Sequence, residues 1–145
     1  WFVIDTDTWE KEGKIQPLRD FCLQKNDSIP MEYDEIKRYD AWNVAQSNPC
    51  FEIWLYYHFY DEMPDKEEVE KCASFKQFVN DSITGGFDFG RHPAYLEEAI
   101  GNASAASSIE EFEKVALYST EVVRLGKEIL SFTKVELDKL KNKLG

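Results

Sequence analysis

The chain has 145 residues, of which 43% are hydrophobic and 14% aromatic, so it has the apolar material of one folded domain and not of a disordered chain. Its net charge of −11 excludes a generally basic surface for nucleic acid, so a phosphate-bearing substrate has to be held by a local basic patch or by metal ions. The sequence contains no run of about 18 apolar residues, which is the pattern typical of a membrane-spanning helix. The three cysteines are widely spaced, which argues against a disulfide framework and indicates reduced thiols in a cytoplasmic protein.

The first part of the chain predicts strands that alternate with helices. Residues 1–6 (WFVIDT) form a short apolar run that is typical of a buried strand. A helix is expected over about 10–25, beginning near Ile15 with Pro17 in its first turn. Residues 26–40 are polar and rich in turn-forming residues, and a second strand is expected over 41–46, where apolar and polar side chains alternate.

Residues 47–60 (SNPCFEIWLYYHFY) are the most aromatic part of the chain. Asn48 is a favourable N-cap, Pro49 suits the first helical position, and Glu52 suits the positive N-terminal end of a helix, so we predict a helix here. A strand over 51–57 is the rival interpretation. Because apolar side chains surround the segment on all sides, we expect it to lie at the centre of the core.

The rest of the chain predicts helices, over 66–79, 94–100, 109–118 and 121–142, with Thr120 capping the last. A glycine-rich loop is expected over 80–93, and the small residues 101–108 form either a linker or the tail of the preceding helix.

The order of these elements predicts an α/β fold with a parallel sheet. Within a single domain, 1–62 is expected to be the α/β part and 63–145 the helical part. Because two strands do not make a stable sheet alone, at least one further strand is expected before Trp1.

Two carboxylates, Asp5 and Asp7, follow the first predicted strand. Residues two apart in an extended chain point to the same side, and ligands of parallel sheets collect at the carboxyl ends of the strands. Since Mg²⁺ takes one or two protein carboxylates together with waters and phosphate oxygens, the pair predicts a site for Mg²⁺ or Mn²⁺ that serves phosphoryl transfer. An ordinary turn that leads into a helix, with Thr8 taking part, is the alternative interpretation.

Glu52 is one of few charged residues in an apolar run, so burying it is costly unless it is paired. It is either a site carboxylate close to the metal or a helix N-terminal charge with its own partner, and both interpretations stay open. On a helix Glu52 and His58 lie ~240° apart and should not pair, so His58 is expected to be a core or interface histidine. Arg91 and His92 are expected to belong to a plain loop, with phosphate contact as the alternative.

The order of FVIDTD followed by SNPCFEIWLYYHF resembles the RloB-like family, bacterial proteins often encoded beside restriction-modification or abortive-infection genes. The resemblance implies a Toprim-like parallel sheet followed by a helical C-terminal region, with an N-terminal part of the sheet missing from this sequence. It also implies Asp5 and Asp7 as metal ligands, with Glu52 as a matching family carboxylate. A Toprim site further uses a Glu at the end of an earlier strand, which is expected before Trp1.

For function, the resemblance implies a magnesium-dependent endonuclease that acts on DNA or RNA in bacterial antiphage defence, with a partner ATPase encoded nearby. Asp5, Asp7 and Glu52 are then the candidate catalytic residues. The alternative is a non-catalytic interaction module that docks the partner ATPase or senses a phage component.

Overall fold

A computed structural model of the chain describes residues 1–28, 41–106 and 114–144. The described part is a mixed α/β fold in which two parallel strands are packed among helices. None of the described helices has the length and apolar character needed to cross a membrane. The elements in chain order are β1 (Phe2–Asp5), α1 (Thr6–Lys11), α2 (Ile15–Asp27), β2 (Val44–Ser47), α3 (Glu52–Tyr56), α4 (Lys66–Glu70), α5 (Phe75–Ser82), a 3₁₀ turn (His92–Tyr95), α6 (Leu96–Ala106) and α7 (Val122–Leu144).

The two strands pair in parallel, as the alternation of strands and helices predicts. Phe2 lies opposite Val44 and Asp5 opposite Ser47, so both strands end at the same edge of the sheet. All four residues of β2 are buried, whereas Val3 of β1 is 44% exposed. Among the described residues β1 pairs with β2 alone, and its other edge is open.

Two apolar clusters hold the fold together. The smaller one packs α1 and α2 against the sheet. The larger one is centred on α3, where Ile53 and Tyr57 have no exposed surface and Trp54 is 6% exposed. The Tyr57 hydroxyl donates to the backbone carbonyl of Tyr118 at 2.7 Å, so its polar end is satisfied inside the core. The prediction that the aromatic segment forms the centre of the core is confirmed.

The predicted start of that segment's helix is wrong. The helix begins at Glu52, not after Asn48, and the Asn48–Pro49 peptide bond is cis. Asn48 instead bonds the segment before α7, because its backbone N–H donates to the Ser119 carbonyl at 2.9 Å and its Nδ2 to the Val115 carbonyl at 2.8 Å. Asn48 therefore makes tertiary hydrogen bonds to this segment and does not cap the helix.

Two further helical predictions need correction. The helix predicted over 66–79 is broken into α4 and α5, because both Asp65 and Ser74 cap a helix start: the Asp65 carboxylate accepts from two backbone amides and the Ser74 hydroxyl from the Gln77 amide. The helix predicted over 94–100 extends to Ala106, so the small residues continue it up to that point.

The last helix, α7, matches its prediction more closely than the segment before it. The amide of Val122 donates to Thr120 Oγ1 at 3.2 Å, which confirms that Thr120 caps α7. The helix predicted over 109–118 is wrong over residues 114–118, which are not helical, and residues 109–113 lie outside the described residues. Most of the turn-rich segment 26–40 also lies outside the described residues.

A partly buried polar network joins α2, β2 and the start of α7. Arg19 Nη2 lies 2.7 Å from Glu121 Oε2 and donates to Gln46 Oε1 at 2.9 Å. The same Glu121 oxygen accepts the Gln46 backbone N–H at 3.0 Å, and the Glu121 amide donates to the Gln46 carbonyl at 2.8 Å. Three elements that are distant in sequence are thus fixed at one point beside the sheet.

Candidate functional site

The sheet edge at the end of β1 brings the predicted site residues into one region. Asp5 closes β1 and is the residue before α1, with extended backbone (φ −95°, ψ 143°). The backbone amides of Thr6 and Asp7 both donate to the Pro49 carbonyl at 3.1 Å, so the chain turns into a helix between the two acids. Asp7 therefore lies in the first turn of α1, and the two acids do not share the extended geometry that the spacing argument assumed.

Asp5 is held by the backbone at the start of the next element. Its Oδ1 accepts the Phe51 backbone N–H at 2.7 Å, which joins the end of β1 to the residue before α3. Burial raises the pKa of the Asp5 carboxyl, and the negative charges of Asp7 and Glu52 raise it further, against the opposing effects of the Phe51 amide and Lys76. Asp5 is thus a carboxylate in a negatively charged neighbourhood.

Asp7 is exposed and bonds locally. Its Oδ1 accepts the Thr8 backbone N–H at 2.6 Å and the Thr8 hydroxyl at 3.2 Å. These hydrogen bonds are the ones expected if Asp7 belongs to an ordinary turn that leads into a helix. The negative charge of Asp7 nevertheless raises the pKa of Asp5.

Glu52, the first residue of α3, has one paired oxygen and one unpaired oxygen. Its Oε1 lies 3.4 Å from the Lys76 ammonium, which is on α5. Its Oε2 is buried and has no hydrogen-bond partner of ordinary geometry within the part of the chain that the structure describes, and the Cys50 thiol, a weak donor, lies beside the carboxylate. A buried carboxylate oxygen without a partner is costly, so this atom marks a place where a cation or a hydrogen-bond donor is needed.

Cys50 lies beside the same carboxylate and is 2% exposed. Burial, together with the neighbouring Glu52 carboxylate, raises the pKa of the Cys50 thiol to about 12. The thiol is therefore protonated at neutral pH in the metal-free protein.

We predict that Cys50 resists alkylation in the folded protein. With a pKa of about 12, only about one thiol in ten thousand is ionised at pH 8, and the side chain is buried. After iodoacetamide treatment at pH 8, peptide mass spectrometry should find Cys50 unmodified, and buried Cys22 with it, but the partly exposed Cys72 modified. In urea all three should react, which serves as the control. Rapid labelling of Cys50 in the folded chain would contradict this description of the site.

A groove of about 440 Å³ opens beside Asp5. The groove lies along β1, which pairs with β2 on one side and with no described strand on the other. Asp5 is the one acidic residue among those that line it. The remaining lining residues are Val3, Ile4, Thr8, Trp9 and Phe51.

His58 and His92 lie in a separate aromatic cluster. His58 packs edge-on against Trp54 and Phe87, with ring centroids 5.2 and 5.1 Å away, and burial lowers its pKa. His92 Nδ1 accepts the Asp88 backbone N–H at 2.9 Å. The expectation of a packed histidine at position 58 fits these contacts, and His92 serves the geometry of its own loop.

Lys76 is the residue of the region that sequence reasoning missed. It lies on an amphipathic helix and is 59% exposed, so nothing in its sequence context distinguishes it from the other surface lysines.

The oxygen-rich character of the region fits a hard divalent cation. The described residues contain no group of three or more His, Cys, Asp and Glu side chains placed to hold a metal ion. Mg²⁺ is nevertheless bound in many proteins by one or two carboxylates, with waters completing its octahedron. Asp5 and Glu52 with its unpaired Oε2 supply donors of that chemical type.

A family model described as RloB-like protein matches residues 1–129, which is most of the chain. No curated protein and no solved structure matches the chain.

Proposed function

The chain belongs to the RloB-like protein family, and we propose that it is a Toprim-like, metal-dependent nuclease that cleaves DNA or RNA phosphodiesters in the cytoplasm as part of bacterial antiphage defence. The observation that carries this proposal is the buried Glu52 Oε2 without a partner, in the neighbourhood of an Asp5 carboxyl whose pKa is raised. Two neighbouring carboxylates whose negative charge is only partly balanced, here by Lys76, suit a site for Mg²⁺ or Mn²⁺.

In this proposal Asp5 and Glu52 would supply carboxylate ligands to the metal ion, Asp7 would add negative charge from the first turn of α1, and waters would complete the coordination. The bound ion supplies a lowered pKa for a water nucleophile and positive charge for the phosphodiester oxygens. The Phe51 amide fixes the orientation of Asp5, and Glu52 is the next residue, at the start of α3. Lys76 balances part of the negative charge of Glu52 and would be available to contact a substrate phosphate, since its side chain is 59% exposed. A partner ATPase is the proposed source of activation.

We predict that Mg²⁺ stabilises the protein and that Glu52→Gln removes most of this effect. At a Mg²⁺ concentration tenfold above Kd, linkage gives about 1.4 kcal/mol, or roughly 4 °C in melting temperature for a domain of this size. Calorimetric melting with Mg²⁺, against K⁺ at matched ionic strength, measures the shift, and NMR of the Asp5 and Asp7 carboxyls reports the binding residues.

Glu70→Gln is the matched control, because Glu70 is an exposed acid on α4. It should retain the full magnesium shift. Equal shifts in Glu52→Gln and the unsubstituted protein would reject Glu52 as a ligand, and no shift in any protein would reject the metal site.

A second candidate function is the non-catalytic module that docks the partner ATPase or senses a phage component. Lys76 already pairs with Glu52 Oε1, and such an ion pair serves a folded module without any metal. Phe59 and Phe89, which are 40% and 73% exposed, offer apolar contact surface. Lys76→Met separates the two functions: removing a competing ammonium should strengthen Mg²⁺ binding at a metal site, whereas a docking module should bind no metal with either residue.

A further inference from the structure

We infer that exposed aromatic and apolar side chains beyond the end of α3 form a docking surface for a segment of a partner protein that carries lysine or arginine beside its own apolar side chains. The members of this surface, which we name the aromatic surface, are 36–73% exposed: Phe59, Tyr60, Met63 and Phe89. Such a surface serves the non-catalytic module, and it is also compatible with the proposed nuclease, because the candidate carboxylate Glu52 lies at the other end of α3.

The partly buried ring of Phe87 holds two members of the aromatic surface together. The ring centroids of Phe59 and Phe89 lie 6.2 and 5.0 Å from that of Phe87. The Phe59 ring also packs edge-on against the His92 ring, at a centroid distance of 4.8 Å. Exposed apolar residues that stand singly are ordinary, whereas a contiguous cluster of this kind marks an interaction site.

Phe89, the most exposed member, is carried by a turn with its own hydrogen bonds. The Asp88 carbonyl accepts the backbone N–H groups of Arg91 and His92 at 3.1 and 2.8 Å. The Asp88 side chain accepts the Gly90 backbone N–H at 2.8 Å. Because an apolar anchor that is already fixed loses little conformational entropy when a partner binds, this turn suits a docking role.

Tyr60 is also fixed by the fold. Its ring stacks on that of buried Tyr56, with the centroids 4.5 Å apart, and its hydroxyl donates to the Ser82 carbonyl at the end of α5. Since the hydroxyl already has an acceptor, a partner that covers Tyr60 does not leave this polar group without a hydrogen bond.

The charges around the aromatic surface are mostly negative. In the segments that form it, 59–63 and 87–92, three acidic residues accompany a single arginine: Asp61, Glu62 and Asp88, with Arg91. All four are exposed, and none has a salt bridge within the part of the chain that the structure describes. Burial raises the pKa of Tyr56, and the charges of Tyr60 and Glu62 raise it further, so Glu62 acts on the rings at short range.

This combination of rings and acids selects the chemistry of the occupant. A polypeptide segment with lysine or arginine gains from the acids and from cation–π contact with the rings, while its apolar side chains pack between the rings. Nucleic acid and anionic membranes carry negative charge, and a second copy of this chain, with its net charge of −11, brings the same acids to the contact. Each of these meets repulsion, so the charges favour a basic partner segment.

Three synthetic peptides test this chemistry. A short fluorescein-labelled peptide that alternates lysine with leucine and tryptophan is titrated with the full chain in EDTA, at low and at high salt, with anisotropy as the readout. One companion peptide carries glutamate in place of each lysine, and the other carries serine in place of each leucine and tryptophan. We expect the first peptide to bind at least about tenfold more tightly than either companion, and to shift backbone amide NMR signals chiefly over 59–63 and 87–92.

Phe89→Ala should weaken binding of the first peptide about tenfold, because it removes the most exposed ring of the aromatic surface. Leu23→Ala is the matched control, since Leu23 is 60% exposed and lies on α2, which packs in the smaller apolar cluster. It should bind the peptide like the unsubstituted protein. Melting curves of both variants verify folding.

The charge contribution has its own pair of variants. Asp61→Asn combined with Glu62→Gln should weaken binding about fivefold at low salt and should reduce the loss of affinity on adding salt. Asp20→Asn combined with Asp27→Asn removes the same number of charges from exposed positions on α2 and should change neither quantity.

Several outcomes would overturn the inference: no binding of the first peptide, equal binding of the three peptides, or equal behaviour of Phe89→Ala and Leu23→Ala. Self-association in sedimentation that Phe89→Ala abolishes would assign the aromatic surface to a second copy of the chain and overturn it as well. Because the titrations contain no Mg²⁺, these outcomes are independent of the magnesium and Asp5 tests by which the proposed function stands or fails.

Discussion

Asp5→Asn is expected to lower metal-dependent cleavage by the intact protein about a thousandfold or more, while leaving the metal-free fold at least as stable. At the proposed metal site the substitution removes a charge that would hold the cation, and loss of a charged metal ligand removes much of the electrostatic stabilisation of a transition state. The amide oxygen of Asn is still able to accept the Phe51 N–H, which Asp5 Oδ1 accepts at 2.7 Å, so the junction between β1 and α3 is kept.

The sign of the stability change follows from the raised pKa of Asp5. A carboxyl whose pKa rises above its ordinary value of 3.8 on folding holds its proton more tightly in the folded chain. Its contribution to stability is therefore present at low pH and is lost as the pH rises from 3.8 through the raised pKa. Above that window the ionised group opposes folding, so a neutral Asn at pH 7 should not lower the free energy of unfolding.

Urea unfolding at pH 7 in EDTA, together with a cleavage assay in Mg²⁺, measures both halves of this prediction. Asp81→Asn, an exposed acid near the end of α5, is the matched control and should change neither quantity. Asp5→Asn with unchanged cleavage would remove Asp5 from the catalytic residues. A variant that is inactive but much less stable would instead assign Asp5 a structural role.

The elements that could be predicted from the sequence are those whose pattern is local. The strand at Phe2–Asp5, the helix from Ile15 and the Thr120 cap follow from side-chain periodicity and capping chemistry, both of which act over a few residues. The Asn48 prediction failed for a different reason. Its amide groups have two possible uses, a helix cap or a bond to a distant segment, and only the fold decides that Val115 and Ser119 lie within reach.

The residues of the candidate site also fall into those that could be predicted from local sequence and those that depend on tertiary packing. Asp5 and Glu52 stand out in the sequence because each is a charge at the border of an apolar run. The Phe51 amide that fixes Asp5 and the Lys76 ammonium that faces Glu52 carry no such signal, since both depend on the packing of α3 against the sheet and α5. The position of Asp7 in α1 could not be predicted from the spacing of the two acids. The carbonyl that accepts its backbone N–H belongs to Pro49, in another part of the chain.

Glu121→Ala is expected to lower the free energy of unfolding by about 2–4 kcal/mol, the largest stability effect among the polar residues discussed above. The substitution leaves the Arg19 guanidinium without its carboxylate and the Gln46 backbone N–H without its acceptor, beside a strand that is fully buried. Because the Arg19 and Glu121 side chains are 29% and 23% exposed, water replaces part of the lost interaction, and the effect should stay below that of a fully buried pair.

A double-mutant cycle with Arg19→Met separates the ion pair from the bond to the strand. The coupling between Arg19 and Glu121 should be about 1–2 kcal/mol, and the rest of the Glu121→Ala effect should persist when Arg19 is absent, because the Gln46 amide still lacks its acceptor. Glu136→Ala is the control: its 2.6 Å pair with Lys139 is as short but is 61–74% exposed, so we expect a change below about 0.5 kcal/mol. Equal losses for Glu121→Ala and Glu136→Ala in urea unfolding would show that the network beside the sheet does not hold α2, β2 and α7 together.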